Sequence, residues 1–174
     1  MTNSPIPTSG SSGSNITAHQ NTPDCIFCKI VNGDAPSHKV WESNTHLAFL
    51  SIFPNTKGVT VVIPKKHYNS YAFEIPEEAL IALTKATKQV ALLLDEKLSV
   101  GRTALVLEGF GVDHVHAKLF PMHGTSKETS WKPITSPSEK KLEYFDTYKG
   151  YISSHDGIRA DDAELAKIAQ LIRS

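Results

Sequence analysis

The sequence predicts an α+β fold with an antiparallel sheet. Three observations carry that prediction. Short apolar runs lie on both sides of one long helical stretch. Turn signals separate the runs. One more amphipathic helix closes the chain. With 174 residues, 40% of them apolar, the chain can build one core of ordinary size.

The elements read in order as follows. Residues 1–23 are rich in Ser, Thr, Pro, Gly and Asn and read as a disordered leader. They show neither the basic start nor the apolar stretch of a secretory signal. Lys39 to Glu42 and His46 to Ile52 read as strands around the turn Ser43-Asn44. Val59 to Ile63 is a β-branched run that reads as a central strand stopped by Pro64. Pro76-Glu77-Glu78 opens a helix, with acids at the positive end of its dipole. Leu80, Leu83, Val90, Leu93 and Leu94 keep helical spacing to about Leu98, and Gly101 follows as a stop signal. Thr103 to Glu108 and His114 to Phe120 are the next strands, joined by Gly109-Phe110-Gly111. Gly124 to Pro137 is polar and irregular, although it holds Trp131. Leu142, Tyr144, Phe145, Tyr148 and Tyr151 follow in a stretch that can dock. Asp161 to Arg173 reads as the final helix, with Leu165, Ile168, Ala169 and Ile172 on one face.

Several function classes are excluded early. Eighteen basic and 18 acidic residues give a formal net charge of zero, which argues against specific nucleic-acid binding. No apolar run is long enough to span a membrane. Two cysteines cannot form a disulfide scaffold, so the reading is cytoplasmic.

The chemistry concentrates in two places. In Asp113-His114-Val115-His116-Ala117-Lys118-Leu119-Phe120, strand alternation puts His114, His116 and Lys118 on one face as an electropositive, titratable ledge. The opposite residues Val115, Ala117 and Leu119 can pack on the core. The same pattern also fits two ordinary surface histidines. In Cys25-Ile26-Phe27-Cys28, two thiolates can share one zinc ion, which needs two more ligands. His67, His114 and His116 are available. Buried thiols and a redox pair are the alternatives, but a redox pair of this spacing belongs after a strand. The acid that follows a cupin His-x-His, the Asp-His of metallo-β-lactamases and the zincin helix motif are all absent.

Taken together, the run from Cys25 through Asn32-Gly33-Asp34-Ala35-Pro36-Ser37, then Ala48-Phe49-Leu50, Lys57-Gly58, Val61 to His67, and His114 to Phe120 resembles the histidine triad (HIT) superfamily, in its bacterial and protein-kinase-C-interacting branch. The resemblance covers Asp24 to Met122. It divides the chain into the leader, a HIT-like domain over 24–123, and a C-terminal extension over 124–174 that packs on the domain or on a partner subunit. It implies a five-stranded antiparallel sheet with one long helix, and a homodimer. It implies a nucleotide or nucleoside phosphate substrate, cleaved through a covalent nucleotidyl-histidine. His116 is then the nucleophile, with His114 and Lys118 as the other triad positions. It also implies a structural zinc on Cys25, Cys28, His67 and His114. Ile30, Phe49 and Ile52 would line a slot for the base, and Ser51 would face the ribose.

The departures from the family pattern are specific. The third triad position is Lys118 rather than His. Val59 stands where the family has a His after Lys-Gly, and Ser51 where it has the ribose-binding Asp. The Gly-Gln-Ser or Gly-Gln-Thr phosphate loop is replaced by Glu108-Gly109-Phe110-Gly111-Val112. A serine hydroxyl cannot engage both ribose hydroxyls as a carboxylate does, so discrimination between ribose and deoxyribose should be weak. The leading expectation is a hydrolase for a phosphoramidate, a dinucleoside polyphosphate or a similar ester. The alternatives are a nucleotidyltransferase with a non-water acceptor, and a zinc-stabilised nucleotide-binding protein without turnover.

Overall fold

A computed structural model describes residues 24–125 and 159–174. Its elements are α1 (Ile26–Asn32), β1 (Lys39–Glu42), β2 (His46–Leu50), β3 (Thr60–Pro64), α2 (Glu77–Lys97), β4 (Thr103–Val106), β5 (Ala117–Pro121) and α3 (Asp162–Arg173). The strands form one antiparallel sheet in the order β1-β2-β3-β5-β4. The expected leader, Trp131 and the aromatic stretch 142–151 lie outside the described residues.

Local chemistry explains most boundaries. Ser43 closes the β1–β2 hairpin: its hydroxyl accepts from the Thr45 and His46 amides, and its own amide donates to the His46 carbonyl. At Gly58 the backbone is left-handed, φ 83°, and a Cβ there would stand 2.5 Å from Leu98 Cδ1. Helix α2 begins after Pro76 with Glu77 and Glu78 in its first turn and Lys97 in its last. Helix α3 is capped by Asp161, whose side chain accepts from the Ala163 and Glu164 amides.

Strand alternation sorts the core into two clusters, one on each face of the sheet. Val40, Ala48, Leu50, Val62, Ala117 and Leu119 pack with Leu83, Val90 and Leu94 of α2 and with Leu165, Ala169 and Ile172 of α3. Val115 joins the same cluster. On the other face, Leu47, Phe49, Val61 and Ile63 pack with Cys25, Phe27, Cys28 and Ile30 of the α1 segment. Helix α3 is further tied to the β1 side of the sheet. His38 Nε2 lies 3.0 Å from Asp162 Oδ1, and the Arg173 guanidinium donates to the Lys39 carbonyl.

The expected strand over His114 to Phe120 is corrected: β5 starts only at Ala117. Its partner β3 ends at Pro64, which has no amide hydrogen to continue the ladder. The Val115 amide instead donates to the Tyr68 carbonyl. Likewise β4 stops at Val106 rather than Glu108, and β2 stops at Leu50 rather than Ile52.

Candidate active site and metal centre

Three segments distant in sequence converge beneath the α1 face. Helix α1 brings Cys25 and Cys28, the chain after β3 brings His67, and the chain before β5 brings His114. All four residues are buried, and their ligand atoms lie within 4.8 Å of one another. His114 Nδ1 lies 3.5 Å from Cys25 Sγ and 3.6 Å from Cys28 Sγ, and His67 Nδ1 lies 3.4 Å from Cys28 Sγ. A tetrahedral ion holding sulfur at ~2.3 Å and nitrogen at ~2.0–2.1 Å separates the two by about 3.5 Å. The spacing is therefore that of a tetrahedron's edges. The tautomer agrees as well. His114 Nε2 is 2.9 Å from the Pro64 carbonyl, which only accepts, so Nε2 carries the hydrogen. Nδ1 is left with a lone pair turned toward the thiols, as a metal-ligating imidazole requires. Both cysteines are free, so the cluster is not a disulfide.

His116 sits beside this cluster. Its Nδ1 is 2.7 Å from the His114 backbone carbonyl and donates to it. Nε2 then holds the lone pair and is the ring nitrogen able to accept a proton or attack an electrophile. Phe27 packs edge-on against both rings, at 5.8 Å from His114 and 5.4 Å from His116. Burial pushes the His114 imidazole down to about 4. Burial also lowers His116, as does the Lys118 ammonium, while the bond to the His114 carbonyl and the Glu108 carboxylate oppose the shift. Both rings are neutral near pH 7. Of the expected ledge, the two imidazoles are held toward the neutral form by burial and Lys118 is the ammonium.

The sequence itself matches the HIT domain over residues 32–125. The chain belongs to the HIT domain family. A HIT-like protein of Methanocaldococcus jannaschii is 39% identical over 104 residues, which is 57% of this chain and 79% of that protein. An adenosine 5'-monophosphoramidase of Schizosaccharomyces pombe is 38% identical over 98 residues, covering 56% of this chain and 73% of the relative. Among solved structures, a Zn-bound histidine triad family protein from Mycobacterium smegmatis superposes with a TM-score of 0.58 at 25% identity. That match covers 86% of this chain and 91% of the other.

The other expected site residues fall into two groups. Ile30 and Phe49 lie together in the α1-face cluster, where Phe49 meets Phe27 edge-on at 5.5 Å. Ser51 and Ile52 lie in the turn after β2. The Ser51 hydroxyl accepts from the Phe53 amide at 3.1 Å. Ile52 is exposed, and its carbonyl accepts from the Ala160 amide. Lys118 is directly opposite Val61 on β3 and Val106 on β4, on the face that carries Phe49. Its Nζ donates to Glu108 Oε1 at 3.1 Å. Two residues of this site escaped the sequence reading. Phe27 was hidden between the cysteines. Glu108 was hidden at the end of a strand, because a tight turn at Gly109-Phe110-Gly111 would set it opposite Val112, whereas the observed register sets Val106 opposite Lys118.

Proposed function

We propose that this protein is a nucleotide hydrolase that cleaves nucleoside phosphate derivatives through a covalent nucleotidyl-His116. The observation that carries the reading is the Nδ1–H donation from His116 to the His114 carbonyl, which directs an unprotonated Nε2 away from the backbone. In the first step, Nε2 forms a bond to the α-phosphorus and the leaving group departs with the electron pair of the broken bond. In the second step, water attacks phosphorus, the P–N bond breaks with its electron pair returning to Nε2, and the proton that water loses passes to solvent. Ile30 and Phe49 offer the apolar wall for a base, and Ser51 and Ile52 sit on the rim where a ribose would rest. Lys118 places a positive charge beside the phosphate. The name of the fission-yeast relative, an adenosine 5'-monophosphoramidase, supports a nucleotide substrate.

The metal in this reading is zinc, held by Cys25, Cys28, His67 and His114. Two thiolates and two imidazoles are a donor set that suits zinc, and with four protein ligands the site has a structural role. The protein is further read as cytoplasmic and homodimeric. No helix among the described residues is long and apolar enough to cross a membrane.

The test is incubation of the full chain with a panel of labelled nucleotides, followed by intact-protein mass spectrometry. An acid-labile nucleotidyl adduct that maps to His116 is expected. His116→Ala should lose turnover by at least about a thousandfold while the fold and nucleotide binding survive. An active His116→Ala protein overturns the mechanism.

A further inference from the structure

The Glu108–Lys118 pair is unusual in its setting. The two side chains are only 16% and 17% exposed, and they approach to 3.1 Å. Withdrawing such a pair from water costs about as much as its attraction returns, so stability is a weak reason to keep it. Its placement is held firmly. Lys118 is fixed on β5 by ladders to both β3 and β4. Glu108 lies two residues beyond β4, just before Gly109, whose φ is 73°. A Cβ on Gly109 would stand 2.7 Å from the Ser70 carbonyl oxygen, so the turn that carries Glu108 is pressed against the chain after His67. Lys118 lies on the sheet face that carries Phe49 and Phe27, and Phe27 packs edge-on against the His116 ring at 5.4 Å.

We propose that Glu108 aims the Lys118 ammonium at the scissile phosphate, and that this pair makes the site selective for substrates whose leaving group departs as an oxyanion rather than as an amine. The inference rests on the nucleotidyl-His116 reading above and specifies its substrate class. When Nε2 bonds to phosphorus, the electron pair of the breaking bond passes to the leaving atom. A terminal phosphate that keeps its own hydrogen, as a nucleoside diphosphate does in part near neutral pH, carries that pair away as a hydrogen phosphate dianion, which is stable there. It needs a nearby positive charge and no proton, which is what an ammonium supplies. An amine nitrogen must gain a proton as it leaves, and the donor works best when it titrates near neutral pH. A hydrogen of the Lys118 ammonium is engaged by Glu108 Oε1. A carboxylate that accepts from an ammonium has no proton to give. The His116 Nδ1 hydrogen is committed to the His114 carbonyl. On this reading Lys118 touches the substrate, and Glu108 is a positioning residue.

The experiment compares adenosine 5'-diphosphate with adenosine 5'-phosphoramidate, and the guanosine pair likewise, on the full-length protein. It records kcat/KM and the His116 adduct by mass. The native protein should favour the diphosphate by at least about tenfold. Lys118→Met should lower kcat/KM for the diphosphate by about a hundredfold and for the phosphoramidate much less, so the selectivity collapses. Glu108→Gln keeps the side-chain shape. It should lower kcat for the diphosphate with little change in KM, and narrow the same ratio, at unchanged metal content and melting temperature. Lys118→His should move the preference toward the phosphoramidate. An equal or greater native efficiency on the phosphoramidate, or an equal loss on both substrates in Lys118→Met, overturns the leaving-group assignment and leaves the hydrolase reading standing. Absence of both turnover and adduct from every substrate overturns the two together.

Discussion

The two faces of the sheet are held by different physics. The α2 face is an apolar core of the ordinary kind, in which strand residues such as Leu50 and Leu119 meet Leu83, Val90 and Leu94 of a 21-residue helix. The α1 face is covered by a helix of seven residues whose N-cap has no side-chain hydrogen bond. A helix that short is not stable by itself. What fixes it is the burial of Phe27 and Ile30, together with two cysteines whose thiols meet His67 and His114. The comparison teaches that this chain puts its hydrophobic redundancy on one side and its chemistry on the other. The α1 side is pinned by a few side chains with defined valences.

The largest expected effect therefore comes from the smaller face. Cys28→Ser, or exhaustive chelation, should remove the metal and cost several kcal/mol of stability, because a ligand set assembled only by folding returns its binding energy as folding energy. Metal analysis and thermal melts measure it. If a chelated protein melts at the native temperature, the division between the faces is wrong. On the opposite face, Leu94→Ala should cost about 2–5 kcal/mol in denaturant titrations, through the cavity it leaves in the apolar core. Its metal stoichiometry should stay native, and a loss of metal there would show that the faces are not separable.

Smaller effects sharpen the picture of the α2 face. Asp161→Ala removes the acceptor for the Ala163 and Glu164 amides and should cost about 1 kcal/mol, read as a lower denaturant midpoint. His46 tests the polarity of that face. It lies at the start of β2, buried, with Nδ1 2.9 Å from Thr45 Oγ1 and with no hydrogen-bond partner for Nε2. Burial lowers its pKa below the ordinary 6.5, so the unfolded chain binds the proton first. Its contribution is complete above pH 6.5 and is lost as the pH falls through the lower folded value. His46→Phe should make stability fall less steeply between pH 7 and pH 5 than in the native protein. Parallel slopes would place the acid sensitivity elsewhere.

The same contrast explains what the sequence made legible. On the α2 face, hydrophobic spacing is enough: Leu83, Val90 and Leu94, and later Leu165, Ala169 and Ile172, are buried where their periodicity puts them. The β1 bounds and the Asp161 start of the last helix follow from turn and capping residues in the same way. On the α1 face, the ligands come from three segments, and nothing local in the sequence says that His67 meets Cys28. The family pattern supplied that set. The early end of the β3–β5 ladder depends on Pro64, whose carbonyl accepts from the His114 ring, a contact that strand alternation in one segment does not encode. The Glu108–Lys118 pair needed the register of β4 on β5 before it could be seen.

His114 joins the two parts of the α1 side within one residue. Its Nδ1 faces the thiols, its Nε2 is tied to Pro64, and its backbone carbonyl receives the hydrogen that fixes the His116 tautomer. On the proposed reading, metal occupancy and nucleotide binding therefore belong to a single thermodynamic cycle. By reciprocity, the factor by which one ligand changes the affinity for the other must be returned in full. A change in metal supply would then reach the His116 ring through one peptide carbonyl, with no movement of a domain required.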